Sequence, residues 1–92
     1  MKRVVPLPSF ERSIGRLTVH EKKLLAKSLE AFNEFLMTGN APYGFRLKKI
    51  GQGKYEFRID LRLRVIVRLE TGIYYLVLAG SHDHVKKYLL NF

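Results

Sequence analysis

The chain has no cysteine, so a disulfide, a thiolate nucleophile and a Cys-based zinc site are all excluded, and no oxidising compartment is needed. Three histidines without Cys partners argue against a structural metal as well. Long apolar runs are lacking too. The longest, Ile73 to Ala79, is far shorter than the ~20 residues a spanning helix requires. The opening Met1-Lys2-Arg3-Val4-Val5-Pro6 has no apolar core of the kind a signal peptide carries. The expectation is a soluble, cytoplasmic protein with no membrane partner and no cofactor. Acidic residues are scarce, with eight Asp and Glu against seventeen Lys and Arg, for a net charge of +9. Such a field attracts polyanions: nucleic acid, an acidic protein segment or an anionic surface.

What is present fits one small domain over residues 1–92. The composition, 47% hydrophobic and 27% charged, is globular rather than disordered. A domain of this size buries only about 60% of its unfolded surface, so a partner would add stability. The charge is unevenly spread. Residues 1–45 carry an excess of three positive charges, residues 46–68 an excess of six, and residues 69–92 none. Two thirds of the excess therefore lies in one quarter of the chain.

Periodicity divides the chain into a helical half and a strand half. Arg3 to Leu7 reads as an opening edge strand, stopped by Pro6 and Pro8. Ser9 is expected to cap a short helix carrying Phe10, Ile14 and Leu17, with Gly15 near its end. Thr18 with Glu21 forms a capping box ahead of an apolar stripe, Leu24, Leu25, Leu29, Phe32, Phe35 and Leu36, that ends before Gly39. The short join makes these two helices an antiparallel hairpin, and Thr38 to Gly44 reads as a loop. From there the period becomes two. Tyr55, Phe57 and Ile59 alternate with polar residues, as do Leu63, Val65 and Val67, and Tyr74 to Ala79 is apolar on both faces like an interior strand. Thr71-Gly72 and Gly51-Gln52-Gly53 supply turns, Phe45 to Ile50 offers a further strand, and Val85, Tyr88, Leu89 and Phe92 suit a closing helix or docked tail. The fold class is α+β: a helical hairpin on a small, twisted antiparallel sheet.

The hydrophobic pattern fixes a register. Burying Tyr55, Phe57 and Ile59 beside Val67, Val65 and Leu63 requires paired residue numbers to sum to 122, leaving Asp60-Leu61-Arg62 as the loop. The other face then carries Arg58 opposite Arg64 and Lys54 opposite Arg68. Like charges so opposed cost stability unless water, the interleaved Glu56 and Glu70, or a bound anion offsets them. Guanidinium groups suit phosphate oxygens. The same pattern describes an ordinary solvated face equally well.

A second cluster lies where the apolar strand ends, in Gly80-Ser81-His82-Asp83-His84-Val85-Lys86-Lys87-Tyr88. Two histidines and an aromatic hydroxyl could exchange protons near neutral pH. The His-x-His pair lacks a third and fourth metal ligand. The plainer reading is a helix start capped by Ser81 or Asp83, with His exposed and Tyr88 partly in the core. His20 reads as a surface residue, and no P-loop or dinucleotide fingerprint is complete.

The order of elements, with Tyr55-Glu56-Phe57-Arg58-Ile59, Leu63-Arg64-Val65-Ile66-Val67-Arg68, Tyr75-Leu76-Val77-Leu78-Ala79-Gly80-Ser81-His82 and Tyr88, resembles the RelE/ParE toxin superfamily over nearly the whole chain. The RelE branch implies the toxin of a type II toxin-antitoxin system, a metal-independent mRNA endoribonuclease. It cuts by attack of a 2′-hydroxyl on the adjacent phosphate, on the ribosome or free of it, and so inhibits translation. By position, the resemblance assigns Arg58 to the 2′-oxygen or phosphate, Arg64 to transition-state stabilisation, His82 to protonation of the leaving 5′-oxygen and Tyr88 to holding a nucleotide. Glu56 stands where several members carry a lysine, and could act as a base. Lys48, Lys49, Lys54, Arg62, Arg68, His84, Lys86 and Lys87 would contact the RNA. An acidic antitoxin protein is the implied partner. The ParE branch, on the same scaffold, implies a non-catalytic inhibitor of DNA gyrase instead.

Overall fold

The computed structural model describes residues 3–40, 45 and 47–90. Strand β1 (Arg3–Pro6) leads into α1 (Pro8–Ile14) and α2 (Val19–Thr38). Strands β2 (Lys48–Gly51), β3 (Lys54–Arg58), β4 (Leu63–Glu70) and β5 (Ile73–Ser81) follow, and α3 (His82–Leu90) closes the described chain. The strands form one sheet in the order β1-β5-β4-β3-β2.

Local chemistry accounts for most boundaries. The Thr18 hydroxyl accepts from Glu21 N–H at 3.1 Å while the Glu21 carboxylate accepts from Thr18 N–H at 2.8 Å, so the expected capping box starts α2. Gly39, at φ 78°, ends it by donating its N–H to Phe35 O. Thr71 and Gly72 both take positive φ, 47° and 80°, the paired geometry of a two-residue hairpin turn between β4 and β5. The β3–β4 register is the one the sequence dictates: Lys54 pairs with Arg68, Tyr55 with Val67, Glu56 with Ile66, Phe57 with Val65 and Arg58 with Arg64. Ile59 N–H still donates to Leu63 O at 2.9 Å, and Asp60 to Arg62 form the turn. Residues 41–44, with the turn formers Pro42 and Gly44, and Phe92 of the expected tail lie outside the described residues.

Two features of the first strand and helix differ from the sequence reading. Strands β2 to β5 are mutually antiparallel, but β1 runs parallel to β5, so the sheet is mixed. No hairpin constrains the direction of β1, because both helices and three strands intervene before its partner. Ser9 is not the cap of α1. That position belongs to Leu7, in extended conformation, with Pro8 at the first helical position, where its missing N–H costs nothing. Ser9 is used at longer range. Its hydroxyl donates to Val77 O at 2.6 Å, and Ser13, one turn later and fully buried, accepts from Ala79 N–H at 2.9 Å while donating to Phe10 O at 2.6 Å. Pro6 ends the ladder of β1 on β5 at Leu76. From there onward the two serines take the place of a neighbouring strand, satisfying backbone groups that would otherwise be buried and unpaired.

Alternation splits the sheet into two apolar faces. On one, α1 and α2 bury Phe10, Leu25 and Phe32 against Phe57, Val65, Val67 and Leu76. Phe32 stacks on Phe57 at 5.0 Å and meets the edge of Tyr74 at 5.6 Å, and Phe45 stacks on Phe57 at 5.1 Å. Each such pair adds about 0.5–1.5 kcal/mol beyond the area buried. On the opposite face α3 covers Ile66 and Val77 with Val85, Tyr88 and Leu89, and Leu7 and Ile50 pack at the margins. Among the described residues no helix is long and apolar enough to cross a membrane.

Replacing Ser13 with alanine leaves the Ala79 N–H buried without an acceptor and should cost roughly 1–3 kcal/mol. Urea unfolding would read this as a lower midpoint at unchanged slope. An unchanged midpoint would show that the serine contact contributes nothing net.

Candidate functional site

The face that carries α3 also carries the arginines. Because β3 and β4 pair with numbers summing to 122, Arg58 and Arg64 lie directly across from each other, and Arg64 in turn pairs with Gly80 on β5. One step along, Lys48 of β2 pairs with Glu56 of β3. Lys48, Glu56, Arg58 and Arg64 line a single cleft of about 160 Å³. Three cations thus surround one carboxylate. Glu56, Arg58 and Arg64 are half-buried, which strengthens their fields over those of fully solvated charges.

Arg64 is held by the β3–β4 turn. Its Nη1 donates to Asp60 O at 2.8 Å and to Leu63 O at 3.1 Å. Asp60 shapes that turn by accepting from Arg62 N–H and Leu63 N–H, both at 2.8 Å. The guanidinium is therefore oriented before any ligand arrives, at a low entropy cost on binding. Arg58 forms no hydrogen bond or ion pair through its side chain with another described residue, and neither does Glu56. The group can accept one anion through two guanidinium forks and can pass a proton through Glu56.

The other residues singled out in the sequence fall into five places. His82 opens α3, exposed, and its backbone N–H donates to Arg62 O at 3.1 Å, which brings the start of the helix to the β3–β4 turn. Tyr88 is half-buried in the apolar cluster over Ile66 and Val77 and does not line the cleft. Lys54 and Arg68 pair at the far end of the hairpin, where Arg68 sits 5.3 Å over the Tyr75 ring and 3.4 Å from the Glu70 carboxylate. That Arg68 Nε contact is an ion pair without hydrogen-bond geometry. Arg62, Lys49, Lys86 and Lys87 are exposed, with Lys49 paired to Tyr55 and so directed away from the cleft face.

His84 is seated most closely. Ser81 caps α3, its hydroxyl accepting from His84 N–H at 3.2 Å and lying 3.3 Å from His84 Nδ1. Gly80 permits this approach: a Cβ there would come within 3.2 Å of the His84 Cβ. What the sequence pattern did not reveal is the turn lock by Asp60. Its Asp-x-Arg-Leu spacing is the available signal, since an Asp side chain bonding backbone N–H groups two and three residues on is a common turn device. Among the described residues no group of three His, Cys, Asp or Glu side chains could hold a metal.

No family sequence model matches the chain, and no curated protein matches it by sequence. Solved structures do match. The chain is similar to RelE in the RelB-RelE antitoxin-toxin complex of Methanococcus jannaschii, with a TM-score of 0.69 at 12% identity over 91% of this chain and 96% of that one. It is similar to a metal-bound toxin of Helicobacter pylori, with a TM-score of 0.66 at 17% identity over 92% and 99%. A third similar structure is the DinJ-YafQ complex of Escherichia coli, with a TM-score of 0.63 at 12% identity over 92% and 98%. The fold is accordingly that of RelE-like toxins.

Glu56 is the one negative group in a cleft of cations. Glu56→Gln should therefore raise the affinity for pyrophosphate about two- to fivefold, the range of a partly exposed charge contact. Calorimetric titration reads this directly. Weaker binding by the variant would mean that the carboxylate positions the cations and does not merely oppose the anion.

Proposed function

We propose that the protein is the toxin of a type II toxin-antitoxin pair and acts as a metal-independent mRNA endoribonuclease in the cytoplasm, blocking translation. The observation that carries this reading is the cleft of Lys48, Glu56, Arg58 and Arg64 on the α3-bearing sheet face of a RelE-like fold. A phosphodiester seated there meets two arginines on adjacent strands, one of them locked in place by the turn. In this reading the 2′-hydroxyl gives its proton to Glu56 and attacks phosphorus. The new bond joins the 2′-oxygen to phosphorus, and the bond to the 5′-oxygen breaks. His82, at the start of α3, protonates that leaving oxygen. The products are a 2′,3′-cyclic phosphate and a 5′-hydroxyl, and Arg58 and Arg64 carry the extra negative charge of the pentacoordinate state. Tyr88 anchors α3 over Ile66 and Val77 and thereby fixes the position of His82. Lys48, Arg62, Lys86 and Lys87 supply sequence-independent phosphate contacts.

The partner in this reading is an acidic antitoxin whose segment folds against the basic face. The net charge of +9 supports it, as does the company the similar toxins keep: RelE of M. jannaschii is seen with RelB, and YafQ of E. coli with DinJ. Those structures give no ground for favouring the gyrase inhibitor.

Inducible expression beside primer extension on cellular mRNA tests the proposal. Wild type should arrest growth and leave discrete cuts ending in cyclic phosphate. Arg64→Ala should lower cleavage by about 10²–10³-fold, the cost of losing a transition-state donor, and His82→Ala by about 10²-fold. Growth arrest with intact mRNA would overturn the nuclease.

A further inference from the structure

A second cavity, of about 240 Å³, opens on the outer edge of β5, one strand over from Arg64. Its walls come from the end of α1, the start of α2 and the first turn of α3, and include Arg16, Leu17, Leu63, Ala79, Ser81 and His84. No role is assigned to it by the cleft chemistry. Its size and its mainly apolar lining, with a cation at the mouth, distinguish it from the cleft.

The backbone of β5 gives this cavity its character. Ala79 donates its N–H to Ser13 on α1, so Ala79 turns its backbone away from β4. Leu63, the partner of Ser81, turns its own backbone toward β3, because Leu63 O accepts from Ile59 N–H. In an antiparallel ladder both polar groups of a residue face the same side. The Ala79 carbonyl and the Ser81 N–H therefore both face the cavity, one acceptor and one donor two residues apart. Beyond them the edge is closed. Strand β1 covers residues 73–76, Ser9 takes Val77 O, and α3 begins at His82. A single donor and acceptor are too little for an added strand but suit one flat group with a neighbouring donor and acceptor on its edge. Leu17 and Leu63 offer an apolar floor. Arg16, exposed at the mouth, suits a ring face or a phosphate oxygen, and the His84 ring is held by Ser81 over Gly80. Glu21 also lines the rim, but its carboxylate is engaged by Thr18 N–H.

We propose that this cavity binds one unstacked nucleobase of single-stranded RNA, reading its Watson–Crick edge through the Ala79 carbonyl and the Ser81 N–H, with Arg16 over the base or on its phosphate. The site rests on the nuclease reading for its place in function: Gly80 joins it to the Arg58–Arg64 row, so the base taken up belongs to a nucleotide near the one cut. It makes cleavage selective for the base of a nucleotide neighbouring the scissile phosphate.

The test is amide chemical-shift mapping of the full chain with each of the four ribonucleoside 5′-monophosphates, and with inorganic phosphate alone. Nucleotides should shift Ala79, Ser81 and His84, phosphate alone should not, and at least one base should bind more tightly than the others. Arg16→Glu, a change at an exposed position, should weaken nucleotide binding about tenfold or more, the value of a charge-assisted contact. Arg58→Ala should leave binding at this cavity unchanged. Shifts confined to the Lys48–Arg64 cleft, equal shifts with phosphate alone, or tighter binding of a tetra-glutamate peptide at the same amides would each overturn the proposal, the last in favour of an antitoxin segment. RNA cleavage assayed in parallel separates the two readings. Base binding here without cleavage sinks the nuclease and leaves the pocket standing as a binding site, whereas cleavage with no binding here sinks the pocket alone.

Discussion

The β3–β4 pairing is the constraint on which the rest of the molecule depends. Side chains on a strand alternate between faces, so a slip of β3 by one residue against β4 would turn Phe57 outward and bring Glu56 and Arg58 under the helices. The burial of Phe57, Val65 and Val67 in the aromatic core with Phe32 makes that exchange prohibitive. Once the apolar face is committed, the chain has no choice about the other: two arginines must stand side by side. The fold thus holds a local electrostatic conflict in place with hydrophobic energy, and the unrelieved part of that conflict is available to an anionic ligand.

That charged face is not uniform. Helix α3 packs on Ile66 and Val77, and Ile66 stands between Arg64 and Arg68 along the same face of β4. On one side is the Lys48, Glu56, Arg58 and Arg64 cleft. On the other, Arg68 is already engaged by Tyr75 and Glu70 and is a poorer anion receptor for it. Along one strand, arginines four residues apart therefore have different surroundings. Arg64 is bound through one nitrogen to backbone carbonyls, which fixes its direction without neutralising its charge, whereas Arg68 spends its charge on a carboxylate.

Much of this was legible in the sequence because it depends on short-range patterns. The capping box at Thr18 and Glu21, the Gly39 stop, the Thr71-Gly72 turn and the sum rule for the hairpin are all local, and each appears in the structure. The opposition of Arg58 and Arg64 followed from the sum rule alone. The contributions of Ser9 and Ser13 were not legible: a serine near a helix start looks like a cap, and its real partners lie 68 and 66 residues away. The direction of β1 was hidden for the same reason. Arg16, in a stretch with no pattern of its own, acquires significance only because three elements converge beside it at the end of β5. His82 and His84, indistinguishable by spacing, are separated by Gly80, which lets His84 settle closely onto the strand.

The parallel pairing of β1 with β5 sets the order in which the molecule can be built. Arg3 meets Ile73, and the two serines of α1 meet Val77 and Ala79, so residues 3–13 have no hydrogen-bonded partners in the sheet until β5 has been made. Contacts of such long sequence separation close late and slowly. Before then α2 and the β2–β4 hairpins can form, but the sheet lacks an edge and α1 lacks its two serine anchors on β5. The residues that follow β5 are those of α3, the element that brings His82 to the arginine turn. The charged face thus reaches its final shape only once β5 and α3 have joined the earlier strands, and until then it is unfinished and open to a partner.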